Sequence, residues 1–165
     1  MLEVNRRRRR GRLRFVRSYV ILGRPFSEVE SELVANTRHW LPSLGESARV
    51  ATSRLLTELG YDGSLLATRV ESKLGRPQRT KQMTCMQLEF QPDAGDGLRP
   101  VVVGQLEIAP IGPSTTHVGI SGIVAVPHRL DREIADEATL HRVAEAAISK
   151  LLEQLTARLA TDHTR

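Results

Sequence analysis

The residue types that most often form metal sites are few in this chain and far apart. Five histidines occur, and the two nearest in sequence, His117 and His128, are eleven residues apart. A metal site assembled from one local segment needs ligands only a few residues apart. We therefore predict no metal site and no cofactor.

Nucleophilic or paired-carboxylate chemistry has equally little support in the sequence. Cys85 is the only cysteine, so no disulfide can form within the chain, and no neighbouring base is evident that would activate the thiol. Glu89 and Glu107 fall on neighbouring predicted strands, where they either form a carboxylate pair or point to solvent, as strand alternation requires. We predict no catalytic residue, and the lone cysteine is typical of a reducing cytoplasm.

Positive charge is concentrated at the N terminus. Residues 1–17 hold eight arginines and one glutamate, a formal charge of +7, whereas the whole chain carries +5, so the remainder is slightly acidic. We predict a disordered basic arm over residues 1–12, since adjacent like charges repel and bury nothing. The arm is a solvated tail, a start-codon artefact, or a contact for nucleic acid or an anionic membrane. No aromatic residue is interleaved with its central run of Arg6, Arg7, Arg8, Arg9 and Arg10.

The elements that would position any site begin with a strand and two helices. Leu13–Leu22 is rich in β-formers and ends at Gly23-Arg24-Pro25. Ser27 and Glu30 have capping-box spacing, which predicts a helix from Ser27 to Trp40. A second helix is predicted from about Glu46 to Leu59, followed by Gly60 in the position that favours a positive φ.

The middle of the chain changes to the two-residue period of strands. Strands are predicted at 65–74, 82–91, 101–108 and 116–126, separated by Gly/Pro-rich turns. Thr84, Met86, Leu88 and Phe90 alternate with polar partners and should face the core. Strands joined in sequence by short connections indicate an antiparallel meander. Glycines within the late strands predict either a bulge or room for a ligand.

The C-terminal segment from Asp136 to about Ala160 has the period of an amphipathic helix. At about 1.5 Å per residue it is long enough to cross a whole sheet. Its apolar stripe must be buried, and the meander is the only surface large enough. We predict one α+β domain over residues 13–161, with five or six antiparallel strands curved around this helix and two short helices after the first strand.

The order of these elements resembles the helix-grip superfamily of START-like lipid-binding domains and polyketide cyclase/dehydrase-like proteins (SRPBCC), in particular its small actinobacterial members. The likeness covers about residues 14–160. It implies an elongated apolar cavity between the sheet and the last helix, no fixed catalytic motif, and a place for His128 near the cavity mouth. The similar segments are Trp40-Leu41-Pro42, Leu106 to Pro113, Thr116 at the next strand start, and Leu140 to Ala146.

The predicted function is the binding of a hydrophobic or amphipathic small molecule, such as a lipid or a polyketide-like compound, in a cytoplasmic protein of undetermined oligomeric state. A cyclase- or dehydrase-type enzyme using the same cavity is the alternative, and a nucleic-acid-associated protein is another. An enzyme needs polar groups turned inward, and the inward or borderline candidates are Arg69, Thr84 and Ser121. The predicted cavity wall comprises Trp40, Met86, Val118, Ile120, Val124, Ala144, Ala147, Ile148 and Leu151.

Overall fold

The computed structural model describes residues 13–61, 70–92, 101–125 and 137–161. The predicted arm over 1–12, part of the strand predicted at 65–74, Arg69 and His128 lie outside these residues. The elements in chain order are β1 (Leu13–Leu22), α1 (Phe26–Ala35), α2 (Thr37–Glu58), β2 (Val70–Leu74), β3 (Gln78–Arg79), β4 (Thr84–Pro92), β5 (Val101–Gly112), β6 (Thr115–Ala125) and α3 (Glu137–Thr161).

The strands form one antiparallel sheet of six strands in the order β1-β6-β5-β4-β2, with the short β3 paired to β4. The predicted α+β class, strand number and meander are confirmed. β5 continues beyond the predicted end at Ile108 to Gly112, past an irregularity in register between Pro110 and Gly112. Among the described strands, β1 forms one edge of the sheet.

The inner face of the sheet carries the predicted core residues. Thr84, Met86, Leu88 and Phe90 of β4 are at most 4% exposed. Because side chains alternate along a strand, the residues between them lie on the outer face. Leu106 and Ile108 of β5 and Val118 and Ile120 of β6 continue the buried inner face.

Two of the late-strand glycines allow β5 and β6 to approach closely. Gly104 is opposite Gly122 in an uninterrupted register. A Cβ on Gly104 would lie 2.4 Å from the carbonyl oxygen of Ser121 and 3.0 Å from Cα of Gly122. No residue larger than glycine fits there without moving a strand, so a close backbone contact, and not a bulge at this pair, explains these residues.

The predicted capping box at the start of α1 is wrong. The helix begins at Phe26 after Pro25, and no side chain caps its first turn. Glu30 instead directs its carboxylate across to the sheet, where Oε1 accepts hydrogen bonds from Thr84 Oγ1 at 2.7 Å and Arg79 Nε at 2.6 Å. The Glu30 carboxylate therefore bonds to Thr84 and Arg79 of the sheet and not to the first turn of its own helix.

The second helix also differs from the prediction, since α2 starts at Thr37 and passes through Pro42. Proline removes one intrahelical hydrogen bond, but Trp40, Leu41 and Leu44 around it are buried at 6% exposure or less. Such tertiary packing supplies most of a helix's stability in a protein. Burial therefore overrides the break that was predicted between Trp40 and Glu46.

The end of α2 follows the prediction. Gly60 has a φ of 87°, its N–H donates to the Thr57 carbonyl at 3.0 Å, and the Tyr61 N–H donates to the Leu56 carbonyl at 2.9 Å. This pair of bonds is a Schellman motif, which needs a left-handed residue that glycine adopts without strain.

The C-terminal helix α3 occupies the predicted range to within one residue at each end. Its stripe of Ala144, Ile148, Leu151, Leu155 and Leu159 is at most 3% exposed and joins the buried inner face of the sheet in one hydrophobic core. Helix α3 packs on α2 and on β1. None of the helices among the described residues is long and apolar enough to span a membrane.

Candidate functional site

The structure brings most of the predicted cavity wall together. Three inner-face sheet residues and three α3 residues of that wall are at most 2% exposed, and Trp40 is 6% exposed; all seven belong to the same hydrophobic core. Ala147 is half-buried outside this core, and the side chain of Val124 lies outside the described residues. The seven are Trp40, Met86, Val118, Ile120, Ala144, Ile148 and Leu151.

A pocket of about 500 Å³ opens where the end of α1, the beginning of α2 and the last turns of α3 meet. Trp40 is the member of the predicted wall that lines it. The others do not line this pocket, so a cavity between them and the sheet stays a prediction. The lining residues are Glu32, Leu33, Asn36, His39, Trp40, Leu155, Arg158 and Leu159.

The apolar floor of this pocket is formed by buried residues of all three helices. Asn36 separates α1 from α2, so Trp40 in the first turns of α2 packs back onto α1 and its indole Nε1 donates to the Leu33 carbonyl at 3.3 Å. Leu155 and Leu159 of α3 complete the floor and are 1% and 3% exposed. A buried indole with its N–H satisfied forms a fixed wall for an apolar ligand.

The rim of the pocket carries charged and polar groups. The Glu32 carboxylate is 2.8 Å from Arg24 Nη2, and Arg158 Nη2 donates to the Ser43 hydroxyl at 2.5 Å. Asn36 and His39 are exposed beside them. An apolar floor with a few polar groups at its edge is the usual composition of a small-molecule site.

Arg24 connects α1 to the end of α3 beside this pocket. Its guanidinium also donates to the Leu159 carbonyl at 2.7 Å, and its own carbonyl accepts from Thr116 Oγ1 at 2.7 Å. Its side chain is only 14% exposed, and its buried Nε finds no partner within the described residues. Sequence reasoning treated Arg24 as part of a turn, and no local pattern reveals a contact 135 residues away.

On the outer face of the sheet, the side chains with reactive groups have little capacity for catalysis. Burial, with a smaller effect of the Glu107 charge, raises the pKa of the Cys85 thiol, so it stays protonated at neutral pH. Glu107 is 3.5 Å from Arg17 and accepts a hydrogen bond from Ser121 Oγ at 3.3 Å. Ser121 therefore points outward, and its inward placement was wrong. Glu89 of β4 is opposite Val103 of β5, whereas Glu107 is opposite Cys85, so the two carboxylates are offset by four residues along the paired strands and do not face each other.

Of the polar residues predicted to point inward, Thr84 is buried on the inner face, but its hydroxyl donates a hydrogen bond to Glu30. Arg69 lies outside the described residues. No group of three or more metal-ligating side chains occurs among the parts of the chain that the structure describes.

Comparison with known proteins identifies the architecture. No family model matches the chain, and no curated protein matches it. A conserved protein from Geobacillus kaustophilus superposes with a TM-score of 0.52 at 14% identity, covering 90% of this chain and 96% of that one. This likeness shows the fold alone, which is a helix-grip architecture with one six-stranded antiparallel sheet and a long C-terminal helix.

Other solved structures superpose more loosely. Norcoclaurine synthase from Thalictrum flavum has a TM-score of 0.39 at 11% identity, covering 92% of each chain. The Zhui aromatase/cyclase from Streptomyces sp. R1128 has a TM-score of 0.34 at 10% identity, covering 90% of this chain and 96% of that one.

Proposed function

We propose that this chain binds a hydrophobic or amphipathic small molecule, lipid or polyketide-like, along the inner side of α3. The supporting observation is the pocket beside Trp40, whose floor is continuous with the aliphatic core between α3 and the sheet. The apolar part of the ligand lies along α3, and its polar end lies at the rim.

The length of the stripe on α3 sets the size of the ligand. Ala144 and Leu155 are eleven residues apart, which is about 17 Å along a helix. Ala144 lies in the buried stripe and Ala147 is half-buried, and we propose that their small side chains are where a ligand finds room between helix and sheet. The proposed ligand is an extended apolar molecule of about that length, running from the pocket toward Ala144.

The rim favours a ligand with one polar end. Arg158 and His39 offer donors on one side, and Glu32, already paired with Arg24, offers an acceptor. A carboxylate or hydroxyl at one end of the ligand would replace its hydrogen bonds to water with hydrogen bonds to these rim groups, while the apolar tail of the ligand leaves water. This composition supports amphipathic ligands over wholly apolar ones.

Native mass spectrometry of the protein purified from its own host tests the proposal first, because a co-purifying molecule identifies its own class. Fluorescence provides the second test. Trp40 is the only tryptophan, so a change in its emission on titration with a medium-chain fatty acid reports on this pocket directly. We expect saturable binding in the micromolar range.

A matched pair of variants on α3 separates specific from non-specific binding. Ala147→Phe should fill the space beside the stripe and weaken binding by about tenfold or more, with only a modest loss of stability. Ala157→Phe adds the same ring on the exposed side and should bind normally. Equal affinity of both variants, or unchanged Trp40 emission with every probe, would contradict the proposal. A ligand recovered chemically altered would instead indicate the cyclase- or dehydrase-type alternative.

A further inference from the structure

Three hydrogen-bond acceptors at the pocket beside Trp40 are already engaged by the protein. Arg24 is 2.8 Å from the Glu32 carboxylate through Nη2, and its Nη1 donates to the Leu159 carbonyl at 2.7 Å. The Leu33 carbonyl accepts from the indole Nε1 of Trp40 at 3.3 Å. A ligand group that donates hydrogen bonds would have to compete here with bonds that the fold makes for itself.

The negative charge at this pocket is compensated within the protein. Glu32 is the acidic residue among the described residues that line the pocket, and its partner Arg24 also lies 3.7 Å from Glu28. The side chains of Glu32 and Arg24 are only 17% and 14% exposed. A cationic ligand end would have to displace Arg24 and leave its guanidinium shielded from water without a partner, which is unfavourable.

Arg158 supplies positive charge at the opposite side of the rim. Its Nη2 donates to the Ser43 hydroxyl at 2.5 Å, and that hydroxyl donates to the Trp40 carbonyl at 3.0 Å. Two consecutive hydrogen bonds thus orient the guanidinium beside Trp40. Ser43 is uncharged, so its bond does not neutralise Arg158. An arginine has five N–H donors, so donation to Ser43 is compatible with donation to a ligand.

We propose that this pocket selects ligands that end in a carboxylate and that Arg158 determines the selectivity. The inference rests on the small-molecule site proposed above and adds the charge of the ligand's polar end. A planar guanidinium fits a carboxylate through two parallel N–H···O bonds. The apolar tail then lies on the floor formed by Leu155 and Leu159, and Ser43 is a positioning residue that holds the guanidinium.

Hydrophobicity alone makes the opposite prediction, which allows a sharp test. An ionised acid is held in water more strongly than an alcohol with the same chain, because charge is costly to remove from water. A purely apolar pocket would therefore bind the alcohol more tightly than the acid. A preference for the acid requires a cationic group at the rim.

Fluorescence titration with decanoic acid, decanol and decylamine at neutral pH measures this preference, since the three probes share one chain. Trp40 is the only tryptophan and lines the pocket, so its emission reports binding there. We expect the acid to bind about tenfold or more tightly than the other two. Its advantage should shrink at high ionic strength, because salt screens charges that are open to water.

A matched pair of arginine variants identifies the cation responsible. Arg158→Gln should lower the affinity for decanoic acid about tenfold, to the level of decanol, and leave the affinity for decanol unchanged. Arg158 is exposed, so the thermal melt should stay close to that of wild type. Arg54→Gln removes an exposed arginine from α2, fourteen residues beyond Trp40 and about 21 Å along the helix, and should keep the full preference.

Ser43→Ala tests the positioning of Arg158 without changing any charge. It removes the bond at Arg158 Nη2, so the guanidinium becomes less ordered. We expect a several-fold loss of affinity for decanoic acid and no change for decanol. A merely structural role of Ser43 would weaken the binding of all three probes to the same degree.

Three results would overturn this inference and leave the proposed function in place. One is equal affinity of the wild-type protein for decanoic acid and decanol. Another is tightest binding of decylamine, which would make Glu32 the determinant. The third is an equal loss of acid and alcohol binding in Arg158→Gln, which would reduce Arg158 to a packing residue. Failure of all three probes to bind would instead overturn the proposed function, and this inference with it.

Discussion

Glu30 of α1 accepts a hydrogen bond of 2.7 Å from the hydroxyl of Thr84, the first residue of β4, across 54 positions of sequence. Arg79 of β3 donates to the same carboxylate oxygen at 2.6 Å. One acidic side chain thus connects the first helix to two strands of the sheet. Thr84 is 1% exposed, so its hydroxyl donates its hydrogen bond to this carboxylate and not to water.

The Glu30 contact predicts a pH-dependent stability. Burial alone would raise the pKa of Glu30, but the hydrogen bonds from Thr84 and Arg79 and the charge of Arg79 outweigh it and lower the pKa. Because the folded pKa is the lower one, the contribution is present above the ordinary pKa of 4.5 and disappears as the pH falls through the folded value.

Glu30→Gln should therefore destabilise the protein near neutral pH, and the difference from wild type should shrink toward zero in acid. Denaturant unfolding at several pH values measures this. Glu153→Gln is the control, since Glu153 is 67% exposed and pairs only with Lys150 on its own helix among the contacts seen. A difference that stays constant with pH would contradict the stated role of the carboxylate.

The register of α3 makes a second prediction. Leu151 is 2% exposed in the middle of the buried stripe, so Leu151→Asp places an unpaired charge in the core and should prevent stable folding. Glu153→Ala, two residues further on the exposed side, should change the free energy of unfolding by less than about 0.5 kcal/mol. Thermal melts compare the two, and equal melts would mean that the helix is rotated.

Gly45 of α2 makes a third prediction. A Cβ on Gly45 would lie 2.5 Å from Ser72 Oγ and 3.0 Å from the Phe90 ring, so Gly45→Ala should cost about 1–3 kcal/mol by overpacking. Gly23→Ala is the matched control, because a Cβ at Gly23 meets nothing within 4 Å. Chemical denaturation of both measures the cost, and similar stabilities would show that α2 and β2 are further apart.

The close approach of Gly45 to Ser72 can also be tested by a substitution at Ser72. Ser72 Oγ is buried without a hydrogen-bond partner within the described residues. Ser72→Ala removes an unsatisfied polar atom and should be neutral or stabilising by up to about 1 kcal/mol. Combined with Gly45→Ala, it should recover part of the lost stability, and strictly additive effects would contradict direct contact.

Arg24 makes a fourth prediction. Arg24→Met removes the ion pair with Glu32 and the bond to the Leu159 carbonyl, leaving a carboxylate at 17% exposure unpaired. Breaking such a pair costs about 3–5 kcal/mol when it is buried, and we expect somewhat less here. Arg54→Met, on the exposed side of α2, should be nearly neutral. Equal unfolding midpoints for the two variants would contradict the role of Arg24.

Much of the fold could be predicted from local patterns. The alternation of Met86, Leu88 and Phe90, the stripe from Ala144 to Leu159 and the glycine after α2 each specify an element through geometry that its own residues impose. The need to bury the long stripe pointed to the sheet as its partner, and in the structure α3 packs on both β1 and α2.

The candidate site could be predicted only in part. Trp40 was expected at a cavity and lines the pocket, but its neighbours Glu32, Arg158 and Leu159 come from elements that are adjacent in space and not in sequence. The exposed apolar row of Phe15, Ile123 and Val103 on the outer face of the sheet escaped prediction for the same reason, because these residues become neighbours only through the strand register.

The sequence by itself determined the helix and strand periods, the position of the inner face and the concentration of positive charge before β1. Only the tertiary structure decided that Pro42 stays inside a helix and that Glu30 accepts hydrogen bonds from the sheet and does not cap its own helix. It also decided that Arg24 donates to a carbonyl near the end of α3. The physical reason is that periodicity is a property of consecutive residues. Buried ion pairs and helix starts depend on desolvation and on partners that the folded chain alone brings within reach.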